Sequence, residues 1–510
     1  ASLCGYILAV NGFGKYVLAL LTTGVAAHLL LTAWAYFRKE RGTYIISSSF
    51  AIAFALGYAS MKFTGYTLTV SYLVIAQIIL LAGIVLKELF WRQLASILLA
   101  CIFAKLIILD SYLSSYMMGG SPVPGKLFGG VNSRTVLFAI GFAMFMGNQF
   151  IYSYLYRKKT SDAMEDKWGV IFSYFYPAIF AVGTWLDLPK ILAAPAWVIL
   201  GVILLELGIS KNNGHMRRQG YILTVGSFVR LLMSNFTVVG GISILSYRLL
   251  TVVPVLMVLY YCHMLLSEER GKGAVSDGEK NMHIFYSYLV FIGIMLLARF
   301  EVPADLVAPV WAVISGGYVI WAVISKERYY LPICSIGALA AAFRAGTVNI
   351  IQPGYLVGVD FNLGVAMLTA AVLYGGNVIL LSYPESAANA DELPGGLFKR
   401  FLRSGQFVHA FSATAVVTLI IVARTSGVLM TAALASEGLI LFLAGFYVKE
   451  KNWRLFALGI LLATLAKAFL VDLRKLETIY YILSLIILGV VLLFVSYMYN
   501  KYKDKIKKII

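Results

Sequence analysis

The chain has 510 residues, 60% of them hydrophobic and 13% charged, with a formal net charge of +18 and a mean hydropathy of +0.84. Soluble domains carry about 25% charged residues, so little of this chain is available for a soluble domain. Continuous apolar runs such as LSLIILGVVLLFV do not alternate, which excludes an outer-membrane barrel. The positive charges fall in short clusters between apolar runs, so they fit the positive-inside bias of membrane loops and not a nucleic-acid partner. The expected fold class is all-α: a polytopic membrane protein.

Apolar stretches of about 20 residues are long enough to cross ~30 Å of hydrocarbon. They predict seventeen transmembrane helices, at 16–37, 43–61, 67–86, 91–111, 134–156, 167–187, 192–210, 219–237, 242–266, 283–300, 305–325, 329–350, 362–382, 406–424, 427–448, 453–472 and 478–499. Alternate loops differ in charge. One side receives FRKERG, KELFWR, YRKKTSDAMEDK, KNNGHMRRQ, SEERGKG, SKER, FKRFLR, KEKNWR and the tail NKYKDKIKKII. The other side holds Lys15, Lys62, Lys126, Arg134, Lys190, Arg299, Arg424, Arg474 and Lys475. The expected orientation puts the N-terminus outside and the C-terminus in the cytoplasm. The start ASLCGYILAV has neither Met nor a charged n-region, as in a processed or truncated terminus, and shows no signal peptide.

An internal repeat is visible. Residues 81–110 laid over 443–472 agree at 12 of 30 positions without a gap, including Lys105/Lys467 and Asp110/Asp472. A constant offset of 114 relates Ser173-Tyr174 to Ser287-Tyr288, Pro189 to Pro303, Pro195 to Pro309, Trp197 to Trp311, Arg230 to Arg344 and Asn235 to Asn349. Composition alone does not place Pro, Trp and charge at one offset. The expected organisation is an N-terminal extracytoplasmic segment (1–14) followed by four parallel four-helix repeats (15–115, 133–237, 240–351 and 360–473). A final helix (478–499) and a basic cytoplasmic tail (500–510) close the chain. An even helix number starts every copy on the same side, unlike an inverted repeat.

In each fourth helix stands one cation, Lys105, Arg230, Arg344 or Lys467, followed five residues later by Asp110, Asn235, Asn349 or Asp472. From Trp453 to Lys467 an α-helix rises about 21 Å, which predicts cations in the outer half of the bilayer. A cation at such depth costs about 2.5–3.5 kcal/mol on insertion scales. Two accounts are open. Each head snorkels to a nearby carbonyl or to the Asp or Asn of another helix, or the four line an outward groove for anionic headgroups. Five residues are about 140° apart on an α-helix, so a pair within one helix is not expected.

Elsewhere, Glu206 and Glu437 lie in third helices at non-equivalent places, each a helix–helix hydrogen bond or a proton-relay carboxylate. His28, His263 and His409 read as packed or interfacial, and Arg299 and Arg424 as interfacial anchors. Trp91, Trp453, Tyr329-Tyr330 and Tyr480-Tyr481 fit an aromatic belt. Loop 117–134, rich in Gly and Pro, is the only long extracytoplasmic segment and permits an irregular or re-entrant path. Segment 384–405 is acidic, then basic and amphipathic. Cys4, Cys101, Cys262 and Cys334 are scattered, so neither metal nor disulfide framework is indicated. No GxxxxGK[ST], HExxH or GxSxG occurs, so no catalytic residue and no cofactor is expected.

The stretch 433–502 resembles the family filed as domain of unknown function 2339. Lys467, Phe469, Leu470, Asp472 and Leu473 match its K-x-F-L-x-D-L pattern, whereas Tyr480-Tyr481 replace its usual Tyr-Arg. The resemblance implies a multi-pass bacterial inner-membrane protein and carries no activity. The functional expectation is a non-enzymatic protein that binds or transports an anionic lipid, lipid-linked polymer or small anion, with membrane lipids as partners. The alternative is a scaffold for an envelope or respiratory complex, with membrane or envelope proteins as partners. A lipid-linked glycosyl transferase comes third.

Overall fold

The structure is a computed structural model. It describes residues 14–113, 126–127, 131–158, 162–242, 245–271, 277–351, 355–356, 359–381, 404–448 and 450–472. The predicted last helix, most of loop 117–134, nearly all of segment 384–405 and the side chain of Asp472 lie outside the described residues. So do Tyr480 and Tyr481.

Among the described residues there are sixteen helices. They are α1 (Gly14–Arg38), α2 (Arg41–Lys62), α3 (Gly65–Val85), α4 (Leu89–Lys105), α5 (Ser133–Arg157), α6 (Ala163–Asp187), α7 (Ala193–Ser210) and α8 (Gly214–Arg230). The chain continues with α9 (Tyr247–Gly271), α10 (Met282–Glu301), α11 (Val307–Ser325), α12 (Tyr330–Arg344), α13 (Phe361–Leu380), α14 (Gly405–Arg424), α15 (Gly427–Tyr447) and α16 (Lys451–Lys467). Fifteen helical segments are long and apolar enough to cross a membrane. The exception is α8, whose first turns carry Arg217, Arg218 and Gln219. The fold is helical, as expected, with one addition. Three two-residue antiparallel ladders precede α5, α9 and α13: β1 (Lys126–Leu127) with β2 (Val131–Asn132), β3 (Gly241–Ile242) with β4 (Leu245–Ser246), and β5 (Tyr355–Leu356) with β6 (Val359–Asp360).

The chain divides into two compact units, residues 1–283 and 284–510, with the division just inside α10. In the first unit, α3 to α8 share a core around Leu73, Leu80, Leu99, Phe145, Phe172 and Ile179. In the second, small residues bring helices close: Ala312, Ala338, Ala341 and Ala413 pack with Leu373. Helices adjacent in sequence form antiparallel hairpins, α3 with α4, α7 with α8, α11 with α12 and α15 with α16.

The turns from α3 to α4, α7 to α8 and α15 to α16 share one tight closure. Lys87 and Asn212 take left-handed φ of 56° and 47° in the first two, and Lys326 takes 58° between α11 and α12. The next N–H returns to the helix carbonyl in Glu88 to Gly83 (2.9 Å), Asn213 to Gly208 (2.7 Å) and Glu450 to Gly445 (2.9 Å), the closure that satisfies a helix C-terminus. Those glycines admit the arginine of the next helix. A Cβ on Gly208 would sit 2.6 Å from the Arg217 backbone nitrogen, and one on Gly83 2.9 Å from that of Arg92. Backbone cannot yield as a side-chain tip can. Gly208→Ala is therefore expected to destabilise by about 1–3 kcal/mol, measured by thermal unfolding in detergent. Unchanged stability would show that the helices slide apart freely.

Helices α4, α8, α12 and α16 each change pitch immediately after a cation. The α-helix ends at Lys105, Arg230, Arg344 or Lys467, and π-helix follows over Leu106–Leu113, Leu231–Asn235, Ala345–Ile350 and Ala468–Asp472. Single π turns inside α-helices are rare and frequently mark functional sites. Below, the helix ends nearest these segments are the π ends, and the opposite ends, with the Lys- and Arg-rich turns, are the basic ends.

Two sequence expectations need correction. Trp453 is buried, not in an aromatic belt: its Nε1 donates to Asn377 Oδ1 at 2.7 Å, and its ring meets Tyr374 edge-on. Tyr330 is likewise buried. The three histidines are packed. His28 stacks between Phe50 and Phe54, His263 Nδ1 lies 2.8 Å from the His283 carbonyl, and His409 is enclosed between Gly405 O and Ser315 Oγ.

Candidate functional site

The π pitch decides what the cations can reach. In π-helix the hydrogen bond runs from i to i+5, so residues five apart return to nearly the same side. Phe236 N–H donates to Leu231 O at 3.3 Å in this register. The expectation that a cation and its fifth successor diverge by about 140° holds only for α-helix and is overturned. Lys105 Nζ lies 2.9 Å from Asp110 Oδ1 and 3.2 Å from Oδ2, an ion pair within one helix.

The four cations point to groups at the π ends of nearby elements: α3, α6, the turn ahead of α11, and α15. Lys105 Nζ also donates to Thr69 Oγ1 on α3, and Thr69 donates onward to Asp110 Oδ2 at 2.7 Å. Lys467 Nζ donates to Thr431 Oγ1 and, at 3.1 Å, to Gly427 O. Thr69 and Thr431 stand at the same offset as Lys105 and Lys467, and Gly65 and Gly427 begin α3 and α15 with positive φ. Arg344 donates to Ala304 O at 3.1 Å. The Arg230 guanidinium carbon instead stands over Trp185, 3.9 Å from the ring centroid, and Trp185 stacks on Trp197.

The fifth successors differ in a way that matters electrostatically. Asp110 takes up the charge of Lys105. Asn235 and Asn349 cannot, and they turn to the loop instead. Asn235 Nδ2 donates to Ile191 O at 2.9 Å and to Thr251 Oγ1 at 2.9 Å, and Asn349 Nδ2 donates to Asp305 O at 2.7 Å. Ile191 and Asp305 are again 114 apart. Arg230 has 6% exposure, and its Nε has no hydrogen-bond partner. Arg344 Nε is also unpartnered, and its charge feels both Arg299 and Asp305. Arg299 occupies the place that Trp185 has 114 residues earlier.

At the basic ends the structure adds residues that the sequence reading treated only as loop charge. Arg92 Nε lies 3.1 Å from Glu165 Oε1, both buried, and Arg217 Nε lies 3.0 Å from Glu279 Oε2. Glu165 Oε2 also accepts the Asp162 N–H at 2.9 Å in a capping box that starts α6. Arg134 Nε donates to Asp187 Oδ1 at 2.7 Å and closes the hairpin of α5 and α6 at its π end.

Residues 2–502 match the profile of the family described as "Predicted membrane protein (DUF2339)", so the chain belongs to that family over nearly its whole length and not in its last 70 residues alone. No curated protein and no solved structure matches the chain.

Proposed function

We propose that the chain is a non-enzymatic integral membrane protein of four tandem four-helix copies that holds anionic headgroups, of lipid or lipid-linked polymer, at Arg230 and Arg344. In this proposal the π ends lie in the outer half of a bacterial inner membrane, with the basic loops and tail in the cytoplasm. One observation carries it: Lys105 is neutralised by Asp110, whereas Arg230 and Arg344 are followed by asparagines that bond to backbone. The nearly buried Arg230 guanidinium, outside every described ion pair, is costly. Arg344 is partly buried and gives one N–H to Ala304 O. A phosphate or carboxylate would take up the remaining donors of each through charge-assisted, forked hydrogen bonds. Trp185 supports the Arg230 guanidinium from beneath, and Arg299 adds a second cation whose effect at Arg344 is partly offset by Asp305.

Lys105, paired with Asp110, and Lys467, held by Thr431 and Gly427 O, serve as internal braces. Of the two accounts left open by the sequence, local partners thus account for Lys105 and Lys467, and the anion-binding account is kept for Arg230 and Arg344. The test is mild purification of wild type, Arg230→Gln and Arg344→Gln, followed by mass spectrometry of retained lipid. Each variant is expected to retain several-fold less anionic lipid while eluting as wild type. Equal retention in folded variants would contradict the proposal.

A further inference from the structure

Glu437 stands at the middle of α15, ten residues from Gly427 and ten from Tyr447, about 15 Å of helix rise from either end. It is buried, with 9% exposure. One carboxyl oxygen, Oε1, accepts from Thr418 Oγ1 of α14 at 2.9 Å; the other, Oε2, is buried with no partner. None of the described ion pairs includes it. A carboxylate at such depth is costly without a cation or a second donor, and a proton on the orphan oxygen removes that cost.

We propose that Glu437 is an intramembrane proton-binding site that exchanges its proton with the basic end of the second unit. Polar groups mark the way. Thr418 is four residues along α14 from Thr414, about 6 Å of rise, a gap that one bridging water spans. Thr414 Oγ1 lies 2.9 Å from Tyr374 OH on α13. Hydroxyl groups reach as far as Tyr374; beyond it Trp453, Asn377 and Gln406 O form a polar cluster towards the basic end that relays no proton itself, so water completes the exchange there. No electron moves: a proton leaves hydronium or a buffer acid at the basic face and ends on Oε2, and the reverse step restores the carboxylate.

Charged and titratable groups on the packed elements are His409 and Arg424 of α14, Lys451, Arg454 and Lys467 of α16, and Asp472 of the π segment after α16, whose side chain lies outside the described residues. Arg424 and Lys467 lie at the π end, and Lys451 and Arg454 in the first turn of α16. Tyr374, on α13, is the titratable group that feels the Glu437 charge. This site is independent of the anion sites at Arg230 and Arg344.

Infrared difference spectra of the whole protein in lipid nanodiscs test it. Wild type is expected to show the C=O stretch of a protonated carboxylic acid that titrates reversibly between about pH 5 and about pH 9, the range reached by buried carboxyls. Glu437→Gln, which keeps the acceptor for Thr418, is expected to remove the band, and Thr418→Val and Glu437→Asp to shift it. No band sensitive to these three substitutions, or a band of constant amplitude across that range, would overturn the proposal.

Discussion

Lys105→Met is expected to destabilise the first unit by about 3–5 kcal/mol, the cost of stripping one partner from a buried ion pair. The reason is the residue left behind. Asp110 is buried and keeps only the hydroxyl of Thr69, which cannot balance a carboxylate. Lys105→Met combined with Asp110→Asn removes both charges and is expected to recover most of the loss, because matched apolar or neutral replacement of a buried pair is often tolerated. Arg230→Met provides the contrast. It strands no carboxylate and forfeits chiefly the stacking on Trp185, about 0.5–2 kcal/mol. Thermal or denaturant unfolding in mild detergent measures the series. Equal losses for Lys105→Met and Arg230→Met would show that charge compensation does not distinguish the two sites.

Glu165→Ala is expected to cost a comparable 3–5 kcal/mol from the exposed need of Arg92 for a counter-charge, plus about 1 kcal/mol for the capping box that starts α6. Glu165 is fully buried, and Arg92 lies against Gly83, so neither can swing to water without parting α3 from α4. Glu165→Gln keeps a group that can cap the helix and isolates the charge effect. Arg92→Met with Glu165→Gln is expected to restore stability towards wild type. A loss below about 1 kcal/mol for Glu165→Ala, the range of an exposed pair, would mean that the clasp is solvated and does not bind α4 to α6.

The spans were legible because about 20 apolar residues in a row have few alternatives to a crossing helix. The position of each cation and its fifth successor was legible because charge at a fixed offset stands out against apolar monotony. Its meaning was not. Placing Lys105 and Asp110 apart assumed α pitch, and nothing in LIILDSYL announces π pitch, which sequence periodicity over so few residues cannot resolve. The Thr69 and Thr431 acceptors were hidden for another reason: a single Thr in an apolar run normally satisfies its hydroxyl on its own helix. The clasps left a trace that was read only as loop charge. Arg92 and Arg217 are separated by 125, the spacing of Lys105 and Arg230, and Glu165 and Glu279 by 114. The alternation of Lys with Asp and Arg with Asn was in plain view, yet without the π register it did not say which cation was spent internally. Trp453 was misplaced because a Trp beside a basic turn resembles an interface anchor until Asn377 appears opposite its indole N–H.

The most direct test is the anionic lipid retained by two double variants purified side by side under identical mild conditions. Arg230→Gln/Arg344→Gln is expected to lose most of it, and Lys105→Met/Asp110→Asn to keep the wild-type amount. Equal retention by both, or loss confined to the Lys105 and Asp110 variant, would contradict the assignment of anion binding to the two arginines.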